Sequence, residues 1–239
     1  MTNNFFSRTE YLIGSDGIDS LHNTRVILFG VGGVGSWCAE ALIRTGISHL
    51  TIVDHDTVAP SNINRQLPAT SATLGQPKVQ IMRRRLLEIN PQADIVARDE
   101  RYCAETAESF PLADYDYVID AIDSLADKAL LIRMATAAPR TTTLFSSMGA
   151  ARKLDPLQMR VSEFWQVKGC PLAAALRQKF KRSGQFPARK FKAVWSPEVR
   201  QNLINDAESN GSLVHITAIW GMTLASLVIN HRINQNNRQ

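Results

Sequence analysis

Between Arg25 and Leu42 the sequence reads as a buried strand, a glycine turn and a helix, and no other stretch limits the fold as much. Val26 to Phe29 is a short unbroken apolar run, the pattern of a strand covered on both faces. Gly30, Gly32 and Gly35 follow at G-x-G-x-x-G spacing, with Gly33 between them. Gly30 permits a tight turn, Gly32 lets backbone come close to a phosphate, and Gly35 lets the helix pack on the strand. The helix from Val34 to about Thr45 then aims its N–H groups and positive dipole at the turn. Alone, three glycines could serve packing only. Leu50 to Asp54, however, reads as a second strand ending in an acid, where a dinucleotide-type fold places its ribose-binding carboxylate. The pair of signals points to a nucleotide site.

The rest of the chain supplies the remaining elements. Residues 5–22 are helical in period, with Gly14 and Gly17 dividing them into two short pieces. Arg8 falls in the first turn, where its plain role is a solvated charge. Ser61-Asn62-Ile63-Asn64-Arg65-Gln66 is a polar segment just beyond the second strand, where open α/β sheets bind ligands. A helix then starts after Pro77, placing Lys78 near the positive end of its dipole, an unfavourable place for a cation unless an anion lies there. Strands follow near 93–97, 117–124 and 141–147, with a helix over 125–138. Asp120 and Asp123 stand at the tip of the fourth strand, where they could cap the next helix or hold hydrated magnesium. The magnesium reading is favoured for Asp123, and both stay open for Asp120.

This order predicts an α/β fold: a Rossmann-like, mainly parallel sheet with helices on both faces. After Gly149 the pattern becomes irregular. Residues 158–164 and 190–194 read as antiparallel strands around a basic helix, 196–210 as a polar and mobile stretch, and 215–232 as a last helix, apolar on most sides and therefore buried in the core or an interface. The tail from Asn234 is expected to fray. Residues 1–150 form the nucleotide-binding region, and 151–239 an extension of the same compact domain.

With 44% hydrophobic residues the chain can bury a large core. Its net charge of +5 is concentrated: eight cations and no acid lie between Phe164 and Pro197. Such a segment, with Phe180, Phe186 and Phe191 interleaved, could track a polyanion; a solvated basic face over core phenylalanines is the competing reading. The three cysteines, Cys38, Cys103 and Cys170, are sparse and far apart, which argues against a disulfide framework and fits a reducing compartment. No C-x-x-C pair exists to build a cysteine-rich zinc site. Cys38 reads as a packing residue, and Cys170, with lysine nearby, is a thin candidate for a reactive thiolate. No signal-peptide core is expected at the N-terminus, and the apolar stretch 214–230 falls short of a membrane span, so a cytoplasmic location without membrane contact is expected.

Gly30-Val-Gly-Gly-Val-Gly35, Val53-Asp54-His55-Asp56, Ser61 to Gln66, Gly75-Gln-Pro-Lys78, Ile89-Asn-Pro91 and Asp120-Ala-Ile-Asp123 together resemble the ubiquitin-activating-enzyme-like superfamily, whose bacterial members include the MoeB, ThiF and TcdA types. Ser7 to Gly14, Ser147-Met-Gly-Ala150, Leu154-Asp-Pro156 and Cys170-Pro-Leu172 extend the likeness toward the TcdA type, the tRNA threonylcarbamoyladenosine dehydratases. The resemblance implies that Gly30, Gly32, Gly33 and Gly35 admit ATP, that Asp54 holds the ribose with Asp56 close by, and that Asn62, Arg65, Gln66 and Lys78 surround the phosphates. Asp123 would bind magnesium, and Arg65, Lys78 and Asp123 would form the catalytic set. Arg8 would reach the neighbouring site of a homodimer. It further implies a tRNA substrate and allows a sulfur-relay partner protein.

The implied reaction adenylates the threonine carboxylate and then closes a ring, so that no enzyme nucleophile is needed. An adenylyltransferase acting on a ubiquitin-like sulfur carrier is the first rival, but it would usually carry paired C-x-x-C motifs. An NAD-dependent oxidoreductase fits the glycines and Asp54 and leaves Arg65 and Lys78 without a role. A non-catalytic tRNA-binding protein would have no use for Arg65, Lys78 and Asp123 together.

Overall fold

The computed structural model describes residues 5–204 and 209–236. Its strands are β1 (Arg25–Phe29), β2 (His49–Val53), β3 (Asp94–Arg98), β4 (Tyr117–Asp120), β5 (Thr143–Ser147), β6 (Arg160–Glu163) and β7 (Lys192–Trp195). They form one seven-stranded sheet in the order β3-β2-β1-β4-β5-β7-β6. From β1 the chain moves outward through β2 and β3, then returns to the other side of β1 for β4 and β5. The reversal opens a crevice beyond the carboxyl ends of β1 and β4.

Strands β1 to β5 pair in parallel, as their helical connections require. The expectation of two antiparallel strands after residue 150 holds for only one of them. β7 runs parallel to β5, with Ser146 opposite Ala193, and only β6 is antiparallel, with Val161 opposite Val194. The register gives the reason: β6 ends where β7 begins, with Glu163 opposite Lys192, so β7 reverses β6 and takes the direction of β5, although α5 (Pro171–Ser183) lies between them in the chain.

Both faces of the sheet are covered. Alternate residues of β1 divide between two cores: Val26 and Leu28 join Leu42, Met82 and Trp220, while Ile27 and Phe29 join Ile132, Leu176 and Phe180. The first core lies under α2 (Gly35–Thr45), α3 (Lys78–Ile89) and α6 (Val214–Asn236), the second under α4 (Leu125–Ala137) and α5. The N-terminal helix α1 (Ser7–His22) breaks at Gly14, as its sequence suggests.

Helix α6 departs from expectation in length and in burial. It continues through Asn236 instead of fraying from Asn234; residues 237–239 lie outside the described residues. By length and composition, 214–235 is long and apolar enough to cross a membrane, contrary to the sequence reading. Here one face is core, through Ile216, Trp220, Leu224 and Val228, while Met222 is 43% exposed. The expected mobile stretch 196–210 falls partly on residues 205–208, outside the described residues. Its start is fixed: Ser196 is buried, and the Glu198 carboxylate accepts the N–H groups of Leu154 and Asp155 at 3.0 Å each.

Gly221 is where α6 crosses α2. A Cβ there would lie 2.4 Å from the Val34 carbonyl oxygen and 2.8 Å from the Cys38 nitrogen. Gly221→Ala is therefore expected to lower stability by about 1–3 kcal/mol, read as a drop in thermal midpoint; an unchanged midpoint would show that the helices separate freely. A second brace joins α2 to α3. The nearly buried Glu40 carboxylate accepts Arg44 Nε at 2.9 Å and Arg85 Nη2 at 3.2 Å. Burial alone would raise its pKa, but the two guanidinium groups outweigh it and hold the carboxyl below 4.5. The folded value thus lies below the unfolded one, so the contribution is complete above pH 4.5 and is lost as pH falls through the folded value. Glu40→Gln is expected to flatten the acid limb of a stability-against-pH curve, and the same slope in both proteins would rule the brace out.

Candidate active site

At the tip of β1 the backbone is pinned from both sides. Gly30 N–H donates to Val53 O, and Ala121 N–H to Phe29 O, each at 2.8 Å. Gly30 has φ +90°, and a Cβ there would sit 2.6 Å from Ala121 O; at Gly35 it would sit 1.8 Å from Gly30 O. These positions have no room for a side chain. At Gly32 a Cβ would meet only Gln66 Nε2, at 3.7 Å, so the turn is open on that side. Helix α2 begins here with no side-chain cap and no acid in its first turn. Its N–H groups and dipole are available to an anion.

The turn forms one wall of a cleft of about 910 Å³. Gly30, Gly32, Gly33, Asp54, Asp56, Asn62, Arg65, Gln66, Lys78 and Asp123 all line it. Gly35 lies behind this surface as a packing residue. Arg8 is exposed at the start of α1 and does not line the cleft.

Asp54 is fixed by backbone: its carboxylate accepts Val31 N–H at 2.6 Å and Asp56 N–H at 2.9 Å. Lys78 Nζ lies 2.7 Å from Asp56 Oδ2, with the lysine side chain 6% exposed. The anion that Lys78 needs at the helix start is thus a protein carboxylate. Partial burial would raise the Asp56 pKa, but the hydrogen bond and charge of Lys78, with His55 beyond, lower it overall. Asp54, His55 and Asp56 bring ligand atoms within 4.8 Å of one another. With Asp56 paired to Lys78 and Asp54 engaged by backbone, this cluster is poorly disposed to a cation.

The 61–66 segment is ordered by its own polar groups. Asn62 Oδ1 accepts Ala59 N–H at 3.1 Å. Arg65 Nη1 donates to Ser61 O at 2.7 Å and to Asn64 Oδ1 at 2.9 Å, leaving its other guanidinium donors uncommitted among the described residues. Gln66 is buried, and its Oε1 has no partner among the described residues. An orphaned polar atom in a cleft wall suits a polar ligand.

The structure separates the two strand-tip acids. Asp120 is fully buried against Lys128, 2.8 Å away, and also accepts Ser146 Oγ–H at 2.6 Å, so it neither caps α4 nor faces a hydrated metal. Asp123 is exposed to the cleft, and its carboxylate has no partner among the described residues. Ser124 takes the N-cap position of α4 without a side-chain bond. A free carboxylate beside a phosphate-accepting turn fits magnesium, which commonly uses one or two carboxylates along with phosphate oxygens.

Sequence reasoning missed Arg101, Arg152 and Lys153, which also line the cleft. Arg101 pairs with Asp127 at 2.8 Å. Lys153 Nζ donates to the Ser196 and Glu198 carbonyls, and its burial draws the pKa down. Arg152 has φ 58°, and its guanidinium has no partner among the described residues. No local signal marks a non-glycine residue for a left-handed backbone. Cys170 is buried at the N-cap of α5, and burial pushes the Cys38 thiol up, in keeping with a packing role. In the basic segment Phe180 and Phe191 belong to the core, which decides for the plainer reading of those two. Arg189 donates to four carbonyls around the end of α4 and the start of β5. Phe186 remains 52% exposed.

Comparison with known proteins agrees with this geometry. The ThiF family model matches residues 6–230. The tRNA threonylcarbamoyladenosine dehydratase of Bacillus subtilis is 42% identical over 179 residues, covering 75% of this chain and 70% of that protein. The Haemophilus influenzae dehydratase is 35% identical over 230 residues, covering 90% and 87%. The crystal structure of Escherichia coli TcdA in complex with ATP superposes with a TM-score of 0.87 at 31% identity, covering 98% of this chain and 96% of that one. The chain belongs to the ThiF family, on the branch of the tRNA threonylcarbamoyladenosine dehydratases.

Proposed function

We propose that this chain uses ATP to dehydrate threonylcarbamoyladenosine beside the tRNA anticodon. The observation that carries the reading is the cleft itself. An uncapped helix N-terminus, an open glycine turn, the Asp54 carboxylate, four anchored cations and Asp123, a carboxylate with no partner among the described residues, converge there, in a chain that resembles named dehydratases along most of its length.

In this reading Asp54 holds the ribose, and the backbone from Gly30 to Gly33 receives the phosphates. Arg65 turns its free donors to them. Lys78 has three donors and can keep Asp56 while binding a phosphate oxygen. Asp123 holds magnesium, which neutralises charge on the phosphates when bound. The substrate carboxylate attacks the α-phosphate, a P–O bond breaks, and pyrophosphate leaves. A ureido nitrogen or oxygen then attacks the activated carbonyl, and in either case a proton is lost from a ureido N–H. AMP departs with one former carboxylate oxygen, so the base loses one water. Preorganised positive charge is the main contribution such a site makes to this chemistry. A homodimer in the cytoplasm, with Arg8 crossing to the partner's phosphates, completes the proposal.

The direct test incubates the protein with ATP, magnesium and tRNA bearing the modification, then weighs the nucleosides. A product one water lighter, with release of AMP, is expected. Absence of mass loss together with AMP transfer to a small sulfur-carrier protein would replace this reading with its first rival. Arg65→Ala is expected to leave the fold intact and to reduce turnover by a factor of about 10²–10³ or more. Full activity in that variant would remove Arg65 from the mechanism.

A further inference from the structure

Asp120 and Lys128 form the one ion pair among the described residues in which both side chains are wholly buried. Lys128 Nζ donates to Asp120 Oδ1 and to Ile122 O, each at 2.8 Å. Asp120 Oδ1 also accepts Ile122 N–H at 3.1 Å, and its Oδ2 accepts Ser146 Oγ–H at 2.6 Å. Stability alone is a poor explanation for such a pair. Removing two charges from water is expensive, and a well-packed apolar pair of similar volume is often as stable or more so.

The placement of the pair gives a better account. The N–H and C=O of Ile122, the residue before Asp123, are both held by it. Ala121 N–H is held by Phe29 O at 2.8 Å, and Ala121 O closes on Gly30. The loop is thus fixed through both residues that precede Asp123, while the Asp123 carboxylate in the cleft has no partner among the described residues. We infer that Lys128 is a positioning residue: through Asp120 and Ile122 it sets the Asp123 carboxylate where a metal on the nucleotide phosphates can be met. Lys128 is wholly buried and touches no substrate. The inference rests on the ATP and magnesium reading above.

The test uses Asp120→Asn/Lys128→Met, which removes both charges together, and Mn²⁺ as a paramagnetic stand-in for magnesium. Mn²⁺ is titrated by electron paramagnetic resonance with a non-hydrolysable ATP analogue present. The double variant is expected to keep its thermal midpoint within a few degrees (~5 °C), to bind Mn²⁺ about 10- to 100-fold more weakly, and to lose turnover. Asp123→Asn added to it should cost little further affinity, whereas Asp123→Asn alone should cost a comparable factor. Lys128→Met alone leaves a buried unpaired carboxylate and should melt at a lower temperature. Unchanged Mn²⁺ affinity in the folded double variant overturns the inference, and a double variant that cannot fold assigns the pair to stability and overturns it too. Wild-type protein that binds no Mn²⁺–nucleotide overturns the ATP reading, and the inference with it.

Discussion

The contact between the first turn of α2 and the glycine turn before it governs the rest of the site. Gly35 sits so close to Gly30 O that a Cβ would lie 1.8 Å away, so the helix starts directly on the strand tip. That contact brings the free N–H groups of α2 to the mouth of the sheet. It also fixes the height of α2 over the sheet, and α6 is laid across α2 at Gly221 with equally little clearance. As a result Thr217 of α6 becomes part of the cleft wall, within 3.2–3.3 Å of a Cβ built at Gly33. A single close-packed stack of strand, helix and helix therefore builds one side of the cleft.

The opposite side is built by charge. Lys78 is 6% exposed, so its charge needs a partner within the protein. Asp56 supplies one from 2.7 Å, and its own pKa is lowered by the contact. Arg101 is held by Asp127, Lys153 by two carbonyls, and Arg65 by Ser61 O and Asn64. Each of these cations is oriented before any ligand arrives. Orientation in advance is what makes charge effective against a developing negative transition state. Arg152 differs, as a guanidinium on a left-handed backbone with no partner among the described residues.

The parts of this arrangement that depend on local pattern were legible in the sequence. The apolar run, the glycine spacing and the acid after β2 locate the crevice because each is a short-range backbone requirement. What was not legible depends on distant partners. Asp120 and Asp123 look alike in Asp120-Ala-Ile-Asp123, and what separates them is Ser146 on the next strand and Lys128 about one turn into α4. Lys128 did leave a trace, since it lies among Leu125, Ala129 and Ile132, a run that should face the sheet. The parallel direction of β7 could not be read from its four residues, because it is set by its place between β5 and the antiparallel β6. Lys78 was expected to need a bound anion at the start of its helix, and Asp56 supplies one without any ligand.

Fold and glycine turn together do not decide the chemistry, since a redox dinucleotide would also accept Gly30 to Gly35 and Asp54. The decision lies with the groups facing the turn. A carboxylate with no partner among the described residues, such as Asp123, placed beside bound phosphates would repel them. That placement becomes favourable only with a cation between carboxylate and phosphate. A diphosphate bridge, whose charge the helix N-terminus and one or two cations already answer, gives little reason to add a metal. A triphosphate carries more charge and must release pyrophosphate, so in the proposed roles it would engage Arg65, Lys78 and Asp123 together. The unpaired acid, which would be a defect in a redox site, is thus the feature that most favours an adenylating one.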